Sequence, residues 1–315
     1  MTLRGAGIGG VAALAALALA LALLVLARLG DRWAALRESD DVEALPGDVP
    51  GRMVQVDGHR VHLVERGEGP AVLLVHGTGG TTFDWESSVL DSLAPGHRVI
   101  ALDLYGMGFS ERNEAFHYGF ALWADQLVGT LDALGIERAS VIGQSLGGAI
   151  ATAFAGRHPE RVERLVSVDS GPWLPPFMGV LLTPGLGEAF LGRRDYWPER
   201  PDEPPAYAER MRQVYRIRGT RRALLRAIRG QFLDARTYFS ALARVACPVL
   251  LVHGGADDII PLRAAASLQR RLPGSQLVVL EGAGHFAMQD APKQFAEVVE
   301  RFLHGERAAA SAGRP

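Results

Sequence analysis

Lysine and cysteine are almost missing from this chain. Lys293 is the only lysine, so nearly every positive charge is an arginine. That bias reads first as a property of the coding sequence, and local arginine clusters are discounted accordingly. Cys247 is the only cysteine, which excludes an intrachain disulfide framework and a multi-cysteine zinc site and leaves the redox compartment unassigned. There is also little net charge: -2 overall, with 48% apolar and 22% charged residues. This composition suits a folded domain and argues against a disordered chain or a general nucleic-acid binder. No internal repeat is visible. At 315 residues the chain is long enough for one large α/β domain with appendages.

From Gly5 to Ala27 no charged or strongly polar side chain occurs, and Ala and Leu dominate. About 20 apolar residues cross a hydrocarbon core about 30 Å thick. The expectation is therefore a retained single-pass transmembrane helix over residues 1–30, touching membrane lipid. The competing reading is a cleaved secretory signal, whose apolar region is usually shorter. The flanking arginines, Arg4 against Arg28, Arg32 and Arg37, do not assign the side of the membrane on which the rest of the chain lies. Residues 31–51 then read as a linker, with Glu38, Asp40, Asp41 and Glu43 and the breakers Pro46, Gly47, Pro50 and Gly51.

The body of the chain, residues 52–304, alternates between short apolar runs and stretches of helical period, with 305–315 as a tail. Met53 to Glu65 alternates around Asp57-Gly58 and predicts a hairpin. Ala71–Val75 is an uninterrupted apolar run of the kind buried on both faces of a parallel sheet. Similar runs begin at Val99, Ser140, Leu165, Val249 and Leu277, with helices predicted at 121–134 and 146–158. The fold class is α/β, a doubly wound, mainly parallel sheet with reactive loops at the carboxyl ends of its strands. The alternation breaks between Ser170 and Phe239, which predicts an inserted helical cap at 171–239.

Gly143-Gln144-Ser145-Leu146-Gly147 falls between a predicted strand at 139–144 and the helix that begins near Leu146. Gly-x-Ser-x-Gly in that setting is a nucleophile elbow, in which a tight turn forces the serine outward and small residues two before and two after it avoid the neighbouring backbone. The helix start beneath Ser145 adds free N–H groups, and the Leu146 amide can donate to a developing oxyanion. A serine needs a base, and the base an orienting carboxylate. Asp257 follows the run ending at Val252 and His285 follows the run ending at Leu280, so all three fall past strand ends in the order serine, acid, histidine. Taken singly, Asp257 also reads as a turn residue and His285 as a residue satisfied by backbone. Asp258 is the adjacent competitor for the acid.

His76-Gly77-Thr78, Asp103-Leu104-Tyr105-Gly106-Met107-Gly108, the serine elbow, Gly254-x-x-Asp257-x-x-x-Pro261 and Gly284-His285 together resemble the capped α/β-hydrolases over about residues 53–303. In that family the acid stands four before the proline, which implies Asp257. The resemblance also implies that the amide of Thr78 joins that of Leu146 in the oxyanion hole, and that His76 supports the loop. Asp103 reads as a brace for the Gly106 and Gly108 turn. Gly106-x-Gly108 lacks the third glycine of a dinucleotide site, so no cofactor and no metal are expected.

The anticipated activity is hydrolysis of a carboxylic ester, lipid-like if the anchor and the apolar cap segment around Trp173, Phe177 and Leu181 both bear on the substrate. A carbon–carbon bond hydrolase and a metal-free haloperoxidase would carry the same motifs. Epoxide hydrolases and haloalkane dehalogenases are disfavoured, because those relatives have an aspartate where this chain has Ser145. A ligand-sensing protein without catalysis and a structural membrane protein are the rivals from other classes. The arginine-rich stretch Glu209–Gly230 reads as a solvated face, with anionic lipid as the alternative.

Overall fold

The computed structural model describes residues 5–41, 47, 49–86, 88–197, 199 and 203–307, with side chains from 12 onward apart from Leu14. It divides into two compact units, one of residues 1–40 and 176–225, the other of 41–175 and 226–315. The last residues of the expected tail, 308–315, and much of the expected linker, 42–46 and 48, lie outside the described residues.

The larger unit is built on eight strands: β1 (Arg52–Val56), β2 (His59–Arg66), β3 (Ala71–Val75), β4 (Arg98–Leu102), β5 (Ala139–Gln144), β6 (Val162–Val168), β7 (Val249–Gly254) and β8 (Gln276–Leu280). They form one sheet in the order β1-β2-β4-β3-β5-β6-β7-β8. The hairpin falls where the alternation predicts it, and Asp57 and Gly58 turn with φ of 51° and 81°, the doubly positive φ of a tight hairpin whose twist matches its strands. β1, β2 and β4 pair antiparallel, and every later pairing is parallel.

Why the central strands are apolar throughout is plain from their packing. One parity, including Leu74, Ala101, Ile142, Val166, Leu250 and Val278, forms a core with Trp85, Leu90, Phe295, Val299 and Phe302. The other parity, Leu73, Ile100, Val141 and Leu165, is equally buried, and the helix Leu146–Arg157 packs on β5 and β6. Each such side chain contributes about 1.5–3 kcal/mol by leaving water. On its outer side that helix meets Ala235–Leu242 so closely that a Cβ on Gly156 would lie 2.1 Å from the Ala241 carbonyl oxygen, which is why a glycine stands there. Between β6 and β7 no strand of the sheet occurs among the described residues. The interval holds the helices Met178–Leu182, Leu186–Gly192, Pro205–Arg216, Thr220–Leu233 and Ala235–Leu242.

The smaller unit corrects two readings of the sequence. Gly5–Arg37 is one helix, so the chain does not break after Gly30 into a linker. Among the described residues no helix is long and apolar enough to cross a membrane, and the expected transmembrane anchor, with its lipid contact, is not found. Among the described residues only the later turns of this helix have close protein neighbours, and its end is charged, while Leu17, Leu19, Leu21, Leu24 and Val25 are exposed. It packs along Leu186–Gly192, with Gly30 so near that an added Cβ would fall 2.3 Å from the Glu188 carbonyl carbon. Its last turns carry Arg28, Asp31, Arg32 and Arg37, with Arg193 stacked 4.2 Å over Trp33.

Just past the helix, Glu38 accepts from the Gly219 and Arg221 amides at 2.7 and 3.0 Å, a carboxylate at the positive end of the helix that starts at Thr220. Arg221 itself is buried and donates to Glu38 and to the carbonyls of Leu191, Arg194 and Tyr215. One member of the arginine-rich stretch is thus a packing hub within this unit and not part of a solvated face.

Candidate active site

Ser145 directly follows β5 and caps the helix Leu146–Arg157 with φ 54° and ψ -117°, a region that non-glycine residues avoid at a cost of about 1–3 kcal/mol. Tight packing holds it there. A Cβ on Gly143 would lie 2.1 Å from the Gly147 carbonyl oxygen, and one on Gly147 would lie 2.2 Å from that of Val75. Gly147→Ala must therefore push the elbow away from the end of β3. We expect it to lose about 1–3 kcal/mol of stability through overpacking and about 10²-fold in rate through misplacement of the serine, as read by thermal melting and turnover on one preparation.

The structure brings the three sequence-predicted side chains together. His285 Nε2 is 3.2 Å from Ser145 Oγ, and His285 Nδ1 is 2.9 Å from Asp257 Oδ2. The Asp257 side chain is fully buried and that of His285 is 8% exposed. The other oxygen of Asp257 accepts the amides of Ile259 and Ile260 at 2.9 and 2.8 Å, so both oxygens are used and the carboxylate cannot swing. Asp258 is exposed and makes no such contact with His285 among the described residues.

Leu146 opens the helix, where the first N–H groups have no partner within the helix itself. The loop carrying Thr78 runs beside the nucleophile, for a Cβ on Gly77 would lie 3.2 Å from that of Ser145. His76 is used at both nitrogens: Nδ1 donates to the Gly77 carbonyl at 2.8 Å and Nε2 accepts the Leu104 amide at 3.0 Å. Asp103, fully buried, accepts the amides of Thr82 and Phe109 at 2.6 and 2.7 Å and the His62 imidazole at 2.8 Å. It braces the Gly108 turn and the segment after Thr78 together. His62 donates its other nitrogen to the Pro50 carbonyl at 2.8 Å. Two acceptors demand two ring protons, so His62 is a buried imidazolium. Burial alone would lower its pKa, but the charge and hydrogen bond of Asp103 outweigh that and raise it.

Several residues at the site carried no motif. Gln144 donates to the His285 carbonyl at 2.8 Å. Asp169, just past β6, accepts the amides of Gly254 and Ala287 at 2.7 and 2.9 Å. His253 donates to the Ile260 carbonyl at 2.8 Å, and burial lowers its pKa so that it stays neutral. The only available hint in the sequence was an acid standing at the carboxyl end of a predicted parallel strand. Asp169, His253 and Asp257 offer ligand atoms within 4.8 Å of one another, but each carboxylate oxygen already accepts an N–H of the chain, which leaves a poor donor set for an ion. The lone thiol is no rival nucleophile: burial pushes Cys247 up to about 11, so it stays protonated near neutral pH.

Such an arrangement can make a serine nucleophilic through a neighbouring imidazole, whose tautomer a buried carboxylate fixes. Known proteins agree on the type. The Alpha/beta hydrolase family matches over residues 72–298. The chain is 35% identical to a 2-hydroxymuconate semialdehyde hydrolase of a Pseudomonas species, over 82% of this chain and 96% of the relative. It is 32% identical to a 2-hydroxy-6-oxo-2,4-heptadienoate hydrolase of Pseudomonas putida, over 81% and 97%. In fold it resembles a meta-cleavage product hydrolase from Pseudomonas fluorescens, with a TM-score of 0.65 and 24% identity over 81% of this chain and 98% of the other. The chain is an enzyme and belongs to the alpha/beta hydrolase family.

Proposed function

We propose that this enzyme hydrolyses a carbon–carbon bond beside a carbonyl, in a substrate of the 2-hydroxy-6-oxo-dienoate class, through Ser145, His285 and Asp257. The observation that carries this reading is the likeness, over nearly their whole length, to two curated hydrolases named for such compounds. It is preferred to the ester that the motifs alone suggest, because the same side chains serve both bonds and the names of these relatives support carbon–carbon cleavage.

Chemically the two reactions differ in the leaving group. An ester releases an alkoxide, whereas here the electron pair must depart on carbon, which demands a fragment that delocalises it. A dienol that has become a ketone does so through conjugation. His285 Nε2 takes the Ser145 proton while Oγ adds to the carbonyl carbon. The amides of Thr78 and Leu146 receive the oxyanion. With the 2-hydroxyl proton moved beforehand to the carbon next to the scissile bond, collapse breaks the carbon–carbon bond, its electron pair passes into the conjugated 2-oxo fragment as a dienolate, and the imidazolium returns its proton to that dienolate. Water, deprotonated by His285, then cleaves the acyl-enzyme to a carboxylic acid. Asp257 holds Nδ1–H throughout.

The experiment is to incubate the full-length protein with 2-hydroxy-6-oxohepta-2,4-dienoate and follow the conjugated chromophore, with products identified by mass spectrometry. Loss of the chromophore with release of one equivalent of acetate and one of the 2-oxo acid fragment is the expected result. An unchanged spectrum, under conditions where a p-nitrophenyl ester is turned over, would return the reading to ester hydrolysis.

A further inference from the structure

Hydrolysis at this site needs an acid and a base that arrive from different strands, and something must fix the distance between them. Asp257 follows β7, and His285 stands in the loop after β8. Backbone pairing of β7 with β8 sets their register as far as Gly254 opposite Leu280, but His285 lies five residues beyond that last pair. Its loop begins at Gly282 with φ 78°; no strand pairing reaches it, and a backbone bond from the Ala256 amide to the Ala283 carbonyl at 2.8 Å ties the two loops only on the near side of His285.

The geometry points to Asp169 as a positioning residue for this pair, a carboxyl that ties the end of the acid's strand to the loop of the base. One oxygen accepts the Gly254 amide at 2.7 Å, three residues before Asp257, and the other accepts the Ala287 amide at 2.9 Å, two residues after His285. The Asp169 backbone is itself tied in, its amide donating to the Val252 carbonyl at 2.9 Å. The residue is fully buried and holds φ at 46°, a conformation uncommon outside glycine that aspartate adopts more readily than most side chains, and both of its carboxyl oxygens find donors. Gln144 completes the clamp from the nucleophile's side by donating to the His285 carbonyl. The base is therefore held at its carbonyl by the strand of the serine and at the amide two residues on by Asp169.

Burial, with the negative charges of Asp257 and Asp290 adding to it, raises the pKa of Asp169 well above the ordinary carboxylate value. What the carboxyl supplies in so costly a place, and an apolar side chain of similar size would not, is an acceptor for each of the two amides.

This inference rests on the reading of Ser145 and His285 as nucleophile and base, and its test is independent of the natural substrate. The full-length protein is labelled with a fluorophosphonate, and the second-order rate is compared for wild type, Ser145→Ala, Asp169→Ala and Asp169→Asn. The low-field proton of the His285 Nδ1–H···Asp257 bond is followed by NMR and thermal melting is recorded on the same samples. Asparagine keeps one acceptor and turns its amide nitrogen toward the other N–H, so it retains part of the clamp and serves if the alanine variant does not fold. We expect Asp169→Ala to label about 10²-fold more slowly, the scale of a misplaced catalytic group, Asp169→Asn to fall between it and wild type, and the low-field proton to shift in both. A labelling rate per folded molecule equal to wild type, with an unmoved proton, would overturn the positioning role and leave Asp169 as packing. Equal labelling of wild type and Ser145→Ala would instead overturn the reading of the nucleophile.

Discussion

Ser145→Ala is expected to leave a folded protein whose turnover falls by about 10⁴-fold or more. Removing a nucleophile leaves only binding and oxyanion stabilisation, which act on water instead of a covalent step. Because the serine, imidazole and carboxylate work as one unit, His285→Ala should cost nearly as much, and the double variant little more than either alone. Steady-state turnover of the four proteins, with thermal melting to verify the fold, checks both statements. Losses that multiply in the double variant would mean that the 3.2 Å contact between Ser145 and His285 does not operate as a unit. The strained backbone at Ser145 adds a sign that is easily tested: glycine at this position relieves the positive φ of 54°, so a Ser145→Gly variant should melt no lower than Ser145→Ala.

The second large effect falls on stability, at the buried pair of His62 and Asp103. Replacing His62 by leucine leaves a fully buried carboxylate with only two amides to hold its charge, and breaking such a pair typically costs about 3–5 kcal/mol. Linkage gives the pH window. The folded pKa of His62 is raised above its ordinary 6.5, so its contribution is complete below that value and is lost as pH rises through the raised folded value. Asp103 shifts the other way: burial opposes it, but His62 prevails and lowers the pKa below 3.8, so its contribution is present above that value and is lost as pH falls through the lowered one. Between the two ordinary values the pair contributes in full. Urea unfolding at pH 6 and pH 9 should show the gap between wild type and His62→Leu narrowing at the higher pH, whereas a constant gap would mean that His62 is neutral in the fold.

Much of this site is legible in the sequence. Short apolar runs of three to five residues marked the strands because both faces of the sheet are covered, and the glycines at 143 and 147 marked the elbow because no side chain fits where they stand. The resemblance to the capped α/β-hydrolases, whose acid stands four before the proline, implied Asp257, and its bonds to the Ile259 and Ile260 amides close the turn that leads to Pro261. What could not be read was anything that depends on partners distant in sequence. Asp169 meets amides 85 and 118 residues away, and Arg221 meets a glutamate 183 residues away, with no local pattern to announce either. The N-terminal segment failed for a related reason. Hydropathy read over Gly5–Ala27 carries no information about the neighbours of the helix's later turns, where Gly30 meets Glu188, or about the charged residues that end it, whereas Leu17, Leu19, Leu21, Leu24 and Val25 stay exposed. Function sits one level further out. The leaving group is a property of the substrate, and neither the triad nor its distances distinguish carbon from oxygen at that position.

The most direct test of the central claim is therefore a comparison of kcat/KM for 2-hydroxy-6-oxohepta-2,4-dienoate and for p-nitrophenyl acetate on the same preparation of the full-length enzyme, with Ser145→Ala as the blank. Our account predicts the dienoate to be preferred and both activities to vanish in the variant. Preference for the ester with no measurable cleavage of the dienoate would contradict it.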